Sequence, residues 1–374
     1  MNCKMIAFGA ALAACTPQHA HETATAAASD TRPAAAPRVA PSSSASAPDV
    51  AAAPFELTVK SYPLPGMTGA ATLDYLFCDR TRGRVYLPVG ESGSLDVFDV
   101  ATAAFTRVDG FATGEREVRG KKRAMGPSAV TRGDGFVYVG DRASSQVCAI
   151  DENTLRLGAC VKLPTPTDGV AFVEPAKEVW VTTPRDRSVT VLDVSKPAEP
   201  RQKLVIKTDG EPEGYAVDAP RGVFYTNLED ANRTITVDVA THAPKASWAA
   251  GCSDAGPRGL AVDTSRHLVF VACTDGVRVL DAGKDGALVG TLETGAGVDN
   301  IDYVEQTRLL YVAAARAARV TVARVTDAGA LTVVATAPTA EGARNAVVDA
   351  GGIVYLVDPG RAHLLVLGPS PRRP

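Results

Sequence analysis

Seven polar or charged residues recur about once every 40–55 positions: Asp74, Ser128, Asp168, Glu213, Arg258, Asn300 and Arg344. Asp299 and Asn345 are one-residue alternatives to the last two. Brought together, such a set could do one of three things. Arg258 and Arg344 could fork onto a carboxylate or phosphate of a small ligand. Asp74, Asp168, Glu213 and Asn300 could present hard oxygens to Ca²⁺. Or acids and arginines could neutralise one another around a water-filled channel, since structural ion-pair networks resemble sites. Arginines beside the acids disfavour a dication, so the anion reading ranks above calcium.

Residues so far apart meet only if a repeated element carries them. A β-branched or Leu residue followed by an aromatic one appears seven times: Val85-Tyr86, Val137-Tyr138, Val179-Trp180, Val223-Phe224, Val269-Phe270, Leu310-Tyr311 and Val354-Tyr355. Periods of 40–50 residues mark propeller blades of four strands. Before each anchor an apolar run ends in an acid and a turn, as in Gly214-Tyr-Ala-Val-Asp218. After it a strand ends in Asp, as in Val189-Thr-Val-Leu-Asp193. Runs dense in Val, Thr and Tyr, broken by Gly or Pro, exclude helices. Innermost strands are expected to be nearly all apolar and outer strands to alternate. The seventh repeat lacks a fourth strand, and residues 55–62 have no inner strand of their own. The predicted fold is therefore all-β, a seven-bladed β-propeller over 55–370 in which the N-terminal strand completes the last blade and removes open edges.

The blades are similar to those of the YVTN-repeat β-propeller family: Pro212-Glu-Gly-Tyr-Ala-Val, Pro257-Arg-Gly-Leu-Ala-Val, Tyr225-Thr-Asn227 and Ser188-Val-Thr-Val-Leu-Asp193 carry its pattern. The resemblance spans 55–367 and implies architecture, not activity, because fold does not fix function. Most blades depart from the family's Asn, ending instead in Thr183, Cys273 or Ala314. Residues 1–14 read as a signal peptide, one Lys before a short apolar run, too short for a permanent span. Leu12-Ala-Ala-Cys15 resembles the lipobox of bacterial lipoproteins, which implies lipidation of Cys15. Thr16 stands where that family's inner-membrane retention signal has Asp, which favours the outer membrane. Of the 39 residues 16–54, 29 are Ala, Pro, Ser or Thr. With so little to bury, the segment 15–54 is expected to be a disordered tether.

Export permits disulfides. Cys252 precedes the fifth repeat and Cys273 ends its second strand on the same face, so these two are expected to pair; Cys148 and Cys160 flank an outer hairpin and are the second expected pair. Cys78, in an innermost strand, is expected to be a buried free thiol. The first repeat is long because of Gly114-Glu-Arg-Glu-Val-Arg-Gly-Lys-Lys-Arg123, with Arg116, Arg119, Lys121, Lys122 and Arg123. It reads first as a solvated loop balanced by its glutamates; the alternative is a basic flap over the ring. A net charge of −3 offers no global basic field for nucleic acid. No Cys-x-x-Cys-His, Gly-x-Ser-x-Gly or phosphate-cradling Gly loop is present. Of the histidines, His242, His267 and His363 lie in the repeat region, none in register with the ring. Trp180 and Trp248 fall short of quinone-dehydrogenase docking motifs. Taken together, the sequence predicts a cell-envelope lipoprotein. It would be held at the membrane by its N-terminal lipid and monomeric, with no resident cofactor. Its propeller would bind a small anionic ligand or an envelope protein at the channel mouth. The alternative is a calcium-assisted lactonase-type hydrolase.

Overall fold

The computed structural model describes residues 56–370 except 119 and 254. Cys15, the signal peptide, the tether and Phe55 lie outside the described residues, as do residue 119 and the side chain of Lys121. Seven four-stranded antiparallel sheets follow one another along the chain, at 77–109, 127–162, 170–207, 212–249, 257–293, 298–338 and 347–369. The seventh has only three strands of its own, and its fourth is Leu57–Pro63, antiparallel to His363–Pro369. The chain is thus a seven-bladed β-propeller closed by its first described strand. No helix among the described residues is long and apolar enough to cross a membrane.

The anchor aromatics explain the repeat. Tyr86, Tyr138, Trp180, Phe224, Phe270, Tyr311 and Tyr355 are each at most 1 % exposed. Each lies in the second strand of its blade, and adjacent blades pack through them, as Trp180 against Phe224 at 4.7 Å and Phe98 against Tyr355 across the ring closure at 6.2 Å. Burial differs from the sequence expectation in one respect. Second strands such as Glu178–Thr183 and Leu268–Cys273 are wholly buried, whereas the innermost strand Pro212–Asp218 alternates. Second strands are covered on both faces by neighbouring blades. An innermost strand turns every other residue toward the channel.

The repeated acids are turn-makers. Carboxylates ending third strands accept from backbone N–H groups of the next turn: Asp99 from Thr102 at 2.9 Å, Asp193 from Ser195 at 2.8 Å and Asp238 from Thr241 at 2.9 Å. Those ending innermost strands do the same, Asp263 from Arg266 at 2.9 Å and Asp349 from Gly351 at 2.8 Å. Such side-chain acceptance fixes a turn where the backbone leaves the ladder.

The repeated Pro-x-Gly has a packing reason. A Cβ on Gly214 would stand 2.4 Å from Gly259 Cα, and one on Gly259 would stand 2.4 Å from Asn300 Oδ1. Glycine there lets the innermost strands of blades four, five and six touch. Asn227, fully buried, donates from Nδ2 to the Arg258 carbonyl at 2.6 Å and accepts from Thr234 Oγ1 at 2.7 Å, holding the next blade's inner strand. Two disulfides form as expected. Cys148 pairs with Cys160, directly opposite in register, and Cys252 with Cys273. Cys78 is a free, half-buried thiol. Burial and the nearby Asp302 push its pKa up to about 12, so it stays protonated and unreactive.

Candidate functional site

Where the innermost strands begin, the blades converge on an open funnel with two adjoining chambers of about 780 and 450 Å³. Six of the seven ring residues line it: Asp74, Ser128, Asp168, Glu213, Arg258 and Arg344. Asn300 does not. It pairs by backbone bridge with Asn345 and packs on Gly259, and its neighbour Asp299 faces the funnel instead. A shift of one residue along a strand exchanges faces, so ring alignment by sequence carries that uncertainty at each blade. Asn345 closes the seam between blades seven and one by donating to the Leu73 carbonyl at 2.8 Å.

A second tier was missed in sequence. Glu91, Arg142, Arg185, Glu229, Thr274, Arg316 and Pro359 also line the chambers. Each stands four or five residues after its blade's anchor aromatic, in the loop that follows the second strand. That offset, the same to within one residue, was the available signal.

The two tiers are joined by ion pairs. Arg142 of the outer tier bridges two inner-tier acids, contacting Asp74 at 2.5 Å and Asp168 at shorter range, while its Nε donates to the Thr167 carbonyl at 3.2 Å. Arg344 contacts Asp299 at 2.9 Å and Asp74 at 3.6 Å, and Arg258 contacts Glu229 at 2.6 Å. The two arginines expected to grip an anion are therefore engaged by carboxylates.

Charge is shared unevenly. Burial would raise the Asp74 pKa, but Arg142 and Arg344 outweigh it and hold the carboxyl below its usual range. Asp168 shares only Arg142. Burial and the Asp74 charge push it up to about 6, and Tyr75 donates to it at 3.3 Å. Burial raises Asp299 as well, with Arg344 opposing. Glu213 has no ion-pair partner among the described residues; burial, with Asp168 and Asp299 beside it, pushes it well above the usual carboxyl range. The funnel floor is thus a network of arginine–carboxylate pairs beside one unpaired acid, Glu213, whose neutral form burial favours. Among the described residues no three His, Cys, Asp or Glu side chains gather as a metal cage. Of the expected calcium set, Asp74 and Asp168 are engaged by arginine and Asn300 lies off the funnel, which does not favour the hydrolase reading.

The long insertion is not a loop. Gly114–Val118 and Lys121–Met125 form a two-stranded hairpin outside the blades, between blades one and two. Arg116, Lys122 and Arg123 line the larger chamber, and Arg123 also lines the smaller. Lys122 is held by Glu115 at 3.0 Å. The hairpin is a basic wall of the funnel and is at the same time solvated and partly balanced by Glu115, so each sequence reading holds in part.

No family model matches the chain, and no curated protein matches it. Many solved structures share its fold. A chain of the crystal structure of the mitotic checkpoint complex has a TM-score of 0.68 at 13% identity, covering 83% of this chain and 93% of that one. A chain of Kuenenia stuttgartiensis hydrazine synthase has a TM-score of 0.65 at 15% identity, covering 81% and 98%. U3-55K has a TM-score of 0.66 at 10% identity, covering 83% and 98%. At such identities the likeness establishes the propeller architecture alone.

Proposed function

We propose that this chain is a non-catalytic binding propeller of the cell envelope, built of YVTN-type blades and tethered by a lipid on Cys15 to the outer membrane. Its funnel takes a small anionic ligand or an acidic segment of an envelope protein. The observation that carries this reading is the basic hairpin standing over a chamber whose floor arginines are already paired with carboxylates. With those arginines engaged, the cations of the wall decide what enters. Chambers of several hundred Å³ have the usual dimensions of ligand sites.

Binding is tested by calorimetric titration with inorganic phosphate, succinate and poly-L-glutamate at low ionic strength. At least one should bind, and Arg116→Ala/Lys122→Ala/Arg123→Ala should weaken it at least tenfold. Affinity should rise as pH falls through about 6, because Asp168 then takes up a proton and the funnel loses negative charge. No binding across the three probes, or equal binding by the triple variant, would overturn the reading. The anchor has a separate test. Cys15→Ala should move the protein from the membrane fraction to the soluble fraction and abolish incorporation of labelled palmitate. Unchanged fractionation and labelling would remove the lipoprotein assignment.

A further inference from the structure

Glu213 stands apart from the other acids of the funnel. It enters on the innermost strand of blade four, lines both chambers, and is half-buried with its carboxyl oxygens still accessible. Among the described residues its side chain forms no ion pair and no hydrogen bond. Asp74, Asp168 and Asp299 instead face arginine, and Glu229 faces Arg258. Glu91 is no equivalent, because its Oε1 accepts from the Thr72 N–H at 2.8 Å and its Oε2 is buried.

The surroundings of Glu213 are acidic. Asp168, Asp299 and Asp74 bear on it from blades three, six and one, and Glu229 from the loop of its own blade. The cations that bear on it, Arg142 and Arg344, are the ones those acids already engage, and the Tyr75 hydroxyl is donated to Asp168. Burial and the neighbouring acids favour the neutral carboxyl, so its charge is cancelled by a proton and not by a cation. The wall of the same chamber is the reverse. Arg116 and Arg123 of the hairpin and Arg185 of the turn Pro184–Asp186 have no carboxylate within ion-pair distance among the described residues. One chamber thus has an unpaired acid on its floor and unpaired cations on its wall.

We propose that the ligand of the funnel is a small zwitterion, an acidic amino acid or short acidic peptide, whose carboxylates meet Arg116 and Arg123 while its ammonium is held by the Glu213 carboxylate. The inference rests on the anion-binding function and deepens it, because it places a second, cationic group on the same ligand. An ammonium suits the floor better than a metal dication. It carries one charge, so Arg142 and Arg344 oppose it half as strongly. Its three N–H donors also match a carboxyl that has no donor of its own in the fold. A chamber of about 780 Å³ has room for a short peptide as well as for one amino acid.

The test titrates L-aspartate against two molecules that keep its carboxylates and lack its ammonium, succinate and N-acetyl-L-aspartate, on wild type and Glu213→Gln. L-aspartate should bind wild type at least tenfold tighter than either. Glu213→Gln should erase that preference while unfolding no earlier than wild type, because the carboxyl bonds no described residue. At pH 7 aspartate binding should release protons as Glu213 ionises, read as a difference in calorimetric heat between PIPES and Tris buffers. That release should be absent in Glu213→Gln and with N-acetyl-L-aspartate, and the preference for aspartate should grow as pH rises. Should the variant unfold early, the acetylated control and the proton release decide in wild type alone. If succinate binds through the hairpin and aspartate binds no tighter, or the preference survives Glu213→Gln, the ammonium pole is wrong and the anion-binding function stands. If no probe binds, both fail.

Discussion

Arg142→Ala should lower stability near pH 7.5 by about 3–5 kcal/mol, the cost of leaving buried charges unpartnered. At roughly 2 °C per kcal/mol, the unfolding temperature should then fall by about 6–10 °C. Among the described residues the guanidinium is the only cation within ion-pair distance of both Asp74 and Asp168, and one quarter of its side chain is exposed, so solvent screens it little. The pH dependence gives the diagnostic sign. In the wild type the depressed Asp74 pKa stabilises the fold above its unfolded value near 4, and that contribution is lost as pH falls below it. Without Arg142 burial prevails: Asp74 moves above its unfolded value, and Asp168, already above it in the wild type, moves further up. Their protonated forms are then favoured by folding, so the deficit is full at high pH and shrinks as pH falls toward 5. Adding Asp74→Asn and Asp168→Asn to Arg142→Ala should restore much of the loss at pH 7.5. A deficit that is the same at pH 5 and pH 8, with no recovery in the triple variant, would show that Arg142 contributes packing and not charge compensation.

The contrast between fold and site follows from what repeats. A blade is specified seven times, so any one weak signal is corrected by six others. Each anchor aromatic, each turn-making Asp and each Pro-x-Gly performs one steric task in several blades, and residues such as Trp180, Asp238 and Gly259 could be read from that task. The funnel obeys the opposite rule. Its tiers occupy repeated positions, but the side chains placed there differ from blade to blade, and only their pairing in space gives them meaning. Arg142 is legible as a surface residue after Asp141 until Asp74 and Asp168 are brought to it from two other loops. Arg258 and Arg344 were legible as cations, yet Glu229 and Asp299 were needed to show them already engaged. The hairpin's solvated charge run was legible, but its place beside the chamber was not. Its strand pairing, Arg116 opposite Arg123, is what sets it over the chamber.

Removing the closing strand should have the other large effect. Leu57–Pro63 pairs along its whole length with His363–Pro369, and Leu57 and Tyr62 pack on the clusters of blades six, seven and one. Tyr62 meets Phe98 of blade one at 5.2 Å, so the strand ties the last blade to the first. Each half-buried side chain is worth about 1 kcal/mol, and the ladder adds hydrogen bonds at about 1 kcal/mol each. A chain lacking residues 1–63 should therefore unfold at least roughly 10 °C earlier than one beginning at residue 56, given several kcal/mol lost. It should also associate through the bare edge of His363–Pro369. Ser370 N–H donates to the Glu56 carbonyl at 2.8 Å, so the two ends are adjacent and can be joined. A circular permutant that links 370 to 56 by a short Gly-Ser linker and opens at the exposed turn after Asp327 keeps every pairing of the seventh blade. It should remain monomeric and unfold near the wild-type temperature. If the truncated chain unfolds like the wild type, closure contributes nothing. If the permutant fails as badly as the truncation, it is chain order and not strand pairing that holds the ring.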